Sequence, residues 1–167
     1  MSEKHFSFVV ITISDKGSEG KRVDTTGPTI SKMLEEKGFE EKDVVIIPDI
    51  MDVIKEKLVS YADNSRVDLI VTNGGTGVSP TDVTPEATRE VIDKEIPGMA
   101  EAMRMESLKK TPHAMLSRAI CGVRKTTLIV NLPGSPRGAK ENLEVILPAL
   151  PHAIEKIKGD PSDCAVL

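Results

Sequence analysis

Short apolar runs alternate along the chain with stretches in which apolar residues recur every three or four positions, and this alternation predicts the elements. The first run, Phe6 to Ile13, is almost continuously apolar and ends in Ser14-Asp15, as expected of a strand buried on both faces. A polar loop follows, and Thr26-Gly27-Pro28 opens a helix, because the fixed φ of proline suits a first turn. Ile30, Met33 and Leu34 recur at helical spacing there, and Gly38 closes the pattern. Val44-Val45-Ile46-Ile47 reads as the second strand, ended by Pro48-Asp49, with Ile50, Val53, Ile54, Leu58 and Val59 marking the helix behind it. The third run, Val67 to Val71, leads through Thr72-Asn73 into a glycine-rich loop. Thr84-Pro85 then reads as N-cap and first helical residue of a helix carrying Ala87, Val91 and Ile92.

A methionine-rich helical stretch runs from Gly98 towards Lys110, is interrupted by Pro112, and is expected to restart over Ala114 to Arg118. Ala119 to Arg124 is expected to pair with the last run, Thr127 to Leu132, as a hairpin across Lys125-Thr126. Pro133-Gly134-Ser135-Pro136 precedes a final helix through Ile157 that Pro148 and Pro151 kink or divide. Apolar strands alternating with helices imply a parallel sheet covered on both faces. The expected fold class is therefore α/β: a single three-layer doubly wound domain with a mostly parallel central sheet. Residues 1–160 read as that domain and 161–167 as a C-terminal tail.

Composition narrows the function classes. A chain of 167 residues with 39% apolar and 29% charged residues builds an ordinary core, here resting on Val, Ile, Leu and Met because aromatics are scarce. A net charge of −4 argues against nucleic acid as a partner, since phosphate backbones select a basic surface. Cys121 and Cys164, the two cysteines, supply neither a disulfide framework nor metal spacing. No apolar run approaches the ~20 residues of a membrane span, so no membrane is expected and the cytoplasm is the expected location. Cys164-Ala165-Val166-Leu167 formally matches a prenylation box, but its acidic flank lacks a polybasic second signal, which favours a plain tail.

In open α/β sheets, ligands bind beyond the carboxyl ends of the strands, near a switch in strand order. Four such ends are predicted: Ser14-Asp15, Pro48-Asp49, Asn73 to Asp82, and Asn131 to Ser135. Gly74-Gly75-Thr76-Gly77 can bring backbone N–H groups against phosphate oxygens, and a helix N-terminus follows. The loop matches neither a Walker loop nor a dinucleotide fingerprint. Taken singly, Asp82 is a helix-start residue and Asp49 a turn residue. Brought to one edge beside a phosphate loop, they are the carboxylates that Mg²⁺ takes. Pro133-Gly134-Ser135-Pro136 reads equally as a second ligand loop or an ordinary turn. His5, His113 and His152 show no ligand spacing, and Met99, Met103 and Met105 suit helix packing or a subunit contact.

Thr72-Asn73-Gly74-Gly75-Thr76-Gly77 followed by Asp82-Val83-Thr84-Pro85-Glu86-Ala87-Thr88 resembles the signature of the MogA-type molybdopterin adenylyltransferases, shared by the gephyrin G domain. Ile13-Ser14-Asp15, Ile47-Pro48-Asp49, Pro97-Gly98, Glu106-Ser107-Leu108, Leu116-Ser117-Arg118 and Leu132-Pro133-Gly134-Ser135-Pro136 extend the resemblance in order along the chain. It implies molybdenum cofactor biosynthesis: Mg-ATP and molybdopterin as substrates, adenylylated molybdopterin and pyrophosphate as products. It implies Asp49 and Asp82 as the catalytic, Mg²⁺-holding pair. Gly74, Gly75, Thr76 and Gly77 are implied at the phosphates and Ser107 at the pterin. Ser14, Asp15, Asn131, Pro133, Gly134 and Ser135 are implied around the nucleotide. A homotrimer and a separate molybdate-insertion protein are the implied partners. Three other readings stay open: a non-catalytic, MoaB-like molybdopterin-binding or scaffold protein, a CinA-like nucleotide pyrophosphate hydrolase, and a trimeric interaction module that binds no nucleotide.

Overall fold

In the computed structural model, residues 5–164 are described. In chain order the elements are β1 (Ser7–Ile13), α1 (Asp15–Ser18), α2 (Thr26–Glu35), β2 (Glu40–Ile47), α3 (Met51–Val59), β3 (Leu69–Asn73) and α4 (Thr84–Val91). They continue with β4 (Lys94–Glu95), α5 (Pro97–Leu108), β5 (Cys121–Arg124), β6 (Thr127–Leu132), α6 (Pro136–Ile146) and α7 (Leu150–Ile157). The strands form one six-stranded sheet in the order β2-β1-β3-β6-β5-β4. β2, β1, β3 and β6 run parallel, and β5 and β4 close the far edge antiparallel.

Alternate side chains of the central strands feed two cores, as the period of two requires. Phe8, Val10, Leu69, Val71, Leu128 and Val130 pack with Ile30 and Leu34 of α2, Met103 of α5, Leu143 of α6 and Ile154 of α7. Val9, Ile11, Ile70 and Ile129 face the other way, onto Ile54 and Leu58 of α3 and Ala87 and Val91 of α4. Two helical layers therefore sandwich the sheet, the doubly wound arrangement expected. Among the described residues no helix is long and apolar enough to cross a membrane.

The structure departs from the sequence reading at identifiable places. β2 begins at Glu40, four residues before its apolar run, because an edge strand needs backbone pairing with β1 and its Glu40-Glu41-Lys42 side chains face solvent. β3 is shifted towards the carboxyl side, ending at Asn73, so Thr72 and Asn73 belong to the strand and not to the loop. α3 runs on into a π-helical turn over Ser60–Ser65, and α1 and β4 are short additions that no periodicity marks. Thr84 lies inside α4, with Val83 at the cap position; its hydroxyl donates to the Gly74 carbonyl at 2.9 Å instead of capping the helix. The hairpin forms across Lys125, whose φ is 51°. A 3-10 turn, Leu147–Ala149, divides α6 from α7 at Pro148. The tail assigned to 161–167 and the prenylation box both reach residues 165–167, which lie outside the described residues.

One ion cluster ties the π-helical turn to the hairpin. Arg124 donates to both Asp63 oxygens, at 2.9 and 2.7 Å, and Lys125 lies 3.0 Å away. The Arg124 hydrogen bond is the main reason the Asp63 carboxyl is held down to about 2. Because the folded value is depressed, the contribution is full above the ordinary aspartate value of about 3.9 and is lost as pH falls towards about 2. Urea unfolding of the wild type and Asp63→Asn between about pH 6 and pH 3 is expected to converge as pH falls. A constant gap between the two midpoints would count against the assignment.

Candidate functional site

Register puts the ends of the four parallel strands level with one another. Ile13 pairs with Ile47, Thr12 with Asn73, and Asn73 with Leu132. Their loops converge where strand order reverses, between β1 and β3, as expected of a ligand site in such a sheet. A cleft of about 470 Å³ opens there, within the range of small-molecule sites. Asp49, Asp82, Gly74, Gly75, Gly134, Ser135 and Ser14, all singled out from sequence, line it. A larger groove of about 870 Å³ lies between α2 and the α6–α7 segment, but nothing from the strand-end loops lines it.

The loop after β3 needs its first two glycines. Gly74 has φ 100° and Gly75 φ 66°. A Cβ on Gly74 would lie 2.3 Å from the Ile13 carbonyl oxygen; one on Gly75 would lie 2.3 Å from Thr84 Oγ1 and 3.1 Å from Asp49 Oδ1. The loop is fastened from both sides: Gly74 N–H donates to the Leu132 carbonyl and Thr84 N–H to the Gly75 carbonyl, each at 3.1 Å.

Asp49 and Asp15 brace one another. The Asp15 N–H donates to Asp49 Oδ2 at 3.0 Å, and the Asp49 N–H to Asp15 Oδ1 at 2.9 Å. Burial raises the Asp49 carboxyl above its ordinary range; the Asp15 N–H pulls it back, and the charges of Asp15 and Asp82 add to the rise. Asp82 accepts the Ser79 N–H at 3.0 Å. Among the described residues no cluster of three Asp, Glu, His or Cys is arranged to hold a metal. Asp49 and Asp82 both line the cleft, and such a pair fits Mg²⁺, which takes one or two protein carboxylates and completes its shell with phosphates and water.

Several expected site residues have other surroundings. Asp15 is exposed and works through Asp49, outside the cleft wall. Thr76 is buried under the loop, and its carbonyl accepts the Arg118 N–H at 2.8 Å. Gly77 packs against Asp82, where a Cβ would lie 2.9 Å from Oδ2. Pro133 sits beneath the turn, beside Gly138. Asn131 is fully buried with every polar side-chain atom engaged: Oδ1 accepts from Ile120 N–H, and Nδ2 donates to Thr72 and Thr88 hydroxyls. Held in this way, its side chain ties β6 to β3 and α4, and it is not among the residues that line the cleft. Ser107 lies on α5 beside Asn142, whose Nδ2 donates to its hydroxyl at 3.2 Å, and it lines a shallow α5–α6 groove outside the cleft.

The sequence reading missed the opposite wall. Asp24 accepts from Thr12 Oγ1 at 2.6 Å and from the N–H groups of Thr26 and Gly27 at 3.1 and 3.0 Å, closing the loop before α2 over the cleft. Its signal was an aspartate two residues before Thr26-Gly27-Pro28, a capping pattern. Thr26 Oγ1 donates to the Gly134 carbonyl at 2.9 Å, joining that wall to the Pro133–Ser135 turn. Arg22 is the one cation among the described residues lining the cleft. Asn73 Nδ2 donates to Thr12 Oγ1, while the buried Asn73 Oδ1 accepts no hydrogen bond among the described residues. Such an acceptor calls for a donor from a bound polar molecule.

The chain is similar to known proteins along most of its length. A sequence family described as "Probable molybdopterin binding domain" matches residues 9–152. The chain is 42% identical over 153 residues to the molybdopterin adenylyltransferase of Helicobacter pylori, covering 90% of this chain and 87% of that protein. It is also 42% identical over 158 residues to the molybdenum cofactor synthesis protein cinnamon of Drosophila melanogaster, of which it spans 26% of the length and which covers 93% of this chain. Among solved structures, the molybdopterin biosynthesis enzyme MoaB of Thermus thermophilus superposes with a TM-score of 0.88 at 51% identity, covering 95% of this chain and 99% of that one. A MogA structure gives 0.86 at 44% identity, covering 90% and 99%.

Proposed function

The chain belongs to the molybdopterin-binding domain family, and on that premise we propose that it is a molybdopterin adenylyltransferase acting in molybdenum cofactor biosynthesis. In the proposed reaction a terminal phosphate oxygen of molybdopterin attacks the α-phosphorus of ATP. The bond from that phosphorus to the oxygen bridging to the β-phosphate breaks, and pyrophosphate leaves. The carrying observation is the convergence, at the sheet's switch point, of a two-glycine phosphate loop with Asp49 and Asp82 on one cleft.

The chain's own residues divide the work. The N–H groups of the glycine loop and the Arg22 guanidinium meet phosphate oxygens, which favours an anionic ligand in a cleft otherwise rich in carboxylates. Asp49 and Asp82 would hold Mg²⁺, which supplies charge neutralisation at the phosphoryl oxygens when bound. Asp15 keeps Asp49 oriented through the reciprocal pair of hydrogen bonds. Catalysis on this reading is positioning and electrostatics, with no covalent intermediate on the protein.

A homotrimer, a separate molybdate-insertion partner and a cytoplasmic location belong to the same proposal. Met105, Leu108, Met115 and Leu116 on and after α5 are exposed and support a subunit contact there, while Met103 is core. Free Cys121 and Cys164 support a reducing compartment.

The test is pyrophosphate release from Mg-ATP with and without molybdopterin. Release that requires molybdopterin is the expected outcome. Pterin binding without release would instead mark a carrier, and ATP turnover without pterin a hydrolase.

A further inference from the structure

We infer that Arg118 is the positioning residue that fixes the glycine loop from behind and holds Asp82 at the cleft; the effect on turnover rests on the adenylyltransferase reading. Four groups of one segment lean on this residue. Its N–H donates to the Thr76 carbonyl at 2.8 Å, Nε to the Gly77 carbonyl at 2.7 Å, and Nη2 to the Asp82 carbonyl at 2.9 Å. The guanidinium also pairs with the Glu86 carboxylate on α4. That hydrogen bond is the main reason the Glu86 carboxyl lies below its ordinary range.

The span from Thr76 to Asp82 has few other ties. Val78, Ser79, Pro80 and Thr81 are exposed, and the Ser79–Asp82 contacts are internal to the turn. Within this span Gly77 and Asp82 are therefore tied to one planar group, while Thr76 is held by the Arg118 main chain. Arginine suits that task because its donors leave the fork in different fixed directions; an ammonium offers three donors from one point and cannot span the same acceptors. Arg118 does not line the cleft, so its influence on a ligand passes through Asp82 and the loop. Sequence marks Arg118 only within the Leu116-Ser117-Arg118 match and gives it no such role, since 36 residues separate it from Asp82.

The experiment compares wild type, Arg118→Ala and Arg118→Lys by steady-state pyrophosphate release, Mg-ATP binding, and amide hydrogen exchange over residues 76–82. In Arg118→Ala, kcat is expected to fall about 10²-fold, the loss associated with a misplacement near 1 Å, with a smaller weakening of Mg-ATP binding through the loosened loop. Lysine restores little, whereas free guanidinium well below denaturing concentration restores part of the alanine variant's kcat in a saturable way. Exchange over 76–82 rises while the sheet keeps its protection. Should the alanine variant not fold, Glu86→Gln carries the same measurements with smaller changes in the same direction. Unchanged kcat, unchanged loop exchange, or protection lost across the whole sheet without guanidinium rescue would each overturn the inference. If the wild type shows no pterin-dependent release, the functional reading fails instead, and the exchange data still decide the hold of Arg118 on the loop.

Discussion

Alanine in place of Gly74 is expected to destabilise the protein by roughly 2–6 kcal/mol and to abolish tight nucleotide binding. Two costs combine. The residue sits at φ 100°, where a side chain is strained by about 1–3 kcal/mol. The added Cβ would also lie 2.3 Å from the Ile13 carbonyl oxygen, and overpacking of that kind costs about 1–3 kcal/mol. The obstacle is main chain at the end of β1, a strand paired on both sides, so it cannot turn aside as a side chain would. The loop must move instead, and with it the Gly74-Gly75 segment that lines the cleft. Thermal midpoints are expected to fall on the order of 10 °C. Gly20→Ala is the matched control: φ there is 71°, but nothing lies within 4 Å of a Cβ. Its cost should stop at the backbone strain, about 1–2 kcal/mol, with nucleotide affinity unchanged. Calorimetric unfolding and titration of Mg-ATP on both variants decide the matter. A Gly74→Ala protein as stable and as tight-binding as wild type would mean the loop does not hold this conformation in solution.

How far the site was legible in sequence follows from the range of the forces involved. Strand-end loops are local signals: an apolar run stops, a glycine or aspartate follows, and the parallel topology then makes Ser14, Asp49, Gly74 and Gly134 neighbours. The fold class was legible because short apolar runs alternate with period-3.6 patterns along the chain. The edge strand was only half legible, since Glu40 to Lys42 contribute backbone hydrogen bonds and leave no apolar trace. Roles set by contacts across the fold were not legible, although Asp24 carried a capping pattern and Arg118 lay in a matched motif. Asp24 reaches Thr12 across the first crossover, and Arg118 reaches Gly77 from 41 positions away. Asn131 shows the converse: its place at a strand end marked it, but its bonds to Ile120, Thr72 and Thr88 are contacts that no local pattern announces. Ser107 was assigned through resemblance alone, and in the single chain its hydroxyl accepts from Asn142.

Asn at position 82 or at position 49 is expected to reduce pterin-dependent pyrophosphate release on the order of 10³-fold, since several kcal/mol of charge stabilisation at the phosphoryl group depends on the pair. The fold should survive, because Asn is isosteric and the bonds these residues accept, from Ser79 N–H and Asp15 N–H, can still go to an amide oxygen. The double variant should be little worse than either single one, as residues acting as a unit are not additive. Asp49 adds a second, independent signature. Its carboxyl is raised chiefly by burial, so its proton leaves at higher pH than from an ordinary aspartate, and Mg²⁺ affinity should weaken as pH falls through that raised value. In Asp49→Asn this descent should disappear while the weaker affinity remains at every pH. Titrating Mg²⁺ against wild type and both variants in the presence of a non-hydrolysable ATP analogue reads this without turnover. Wild-type Mg²⁺ affinity in both variants, with turnover nonetheless lost, would move the two aspartates from holding the metal to orienting the substrates directly.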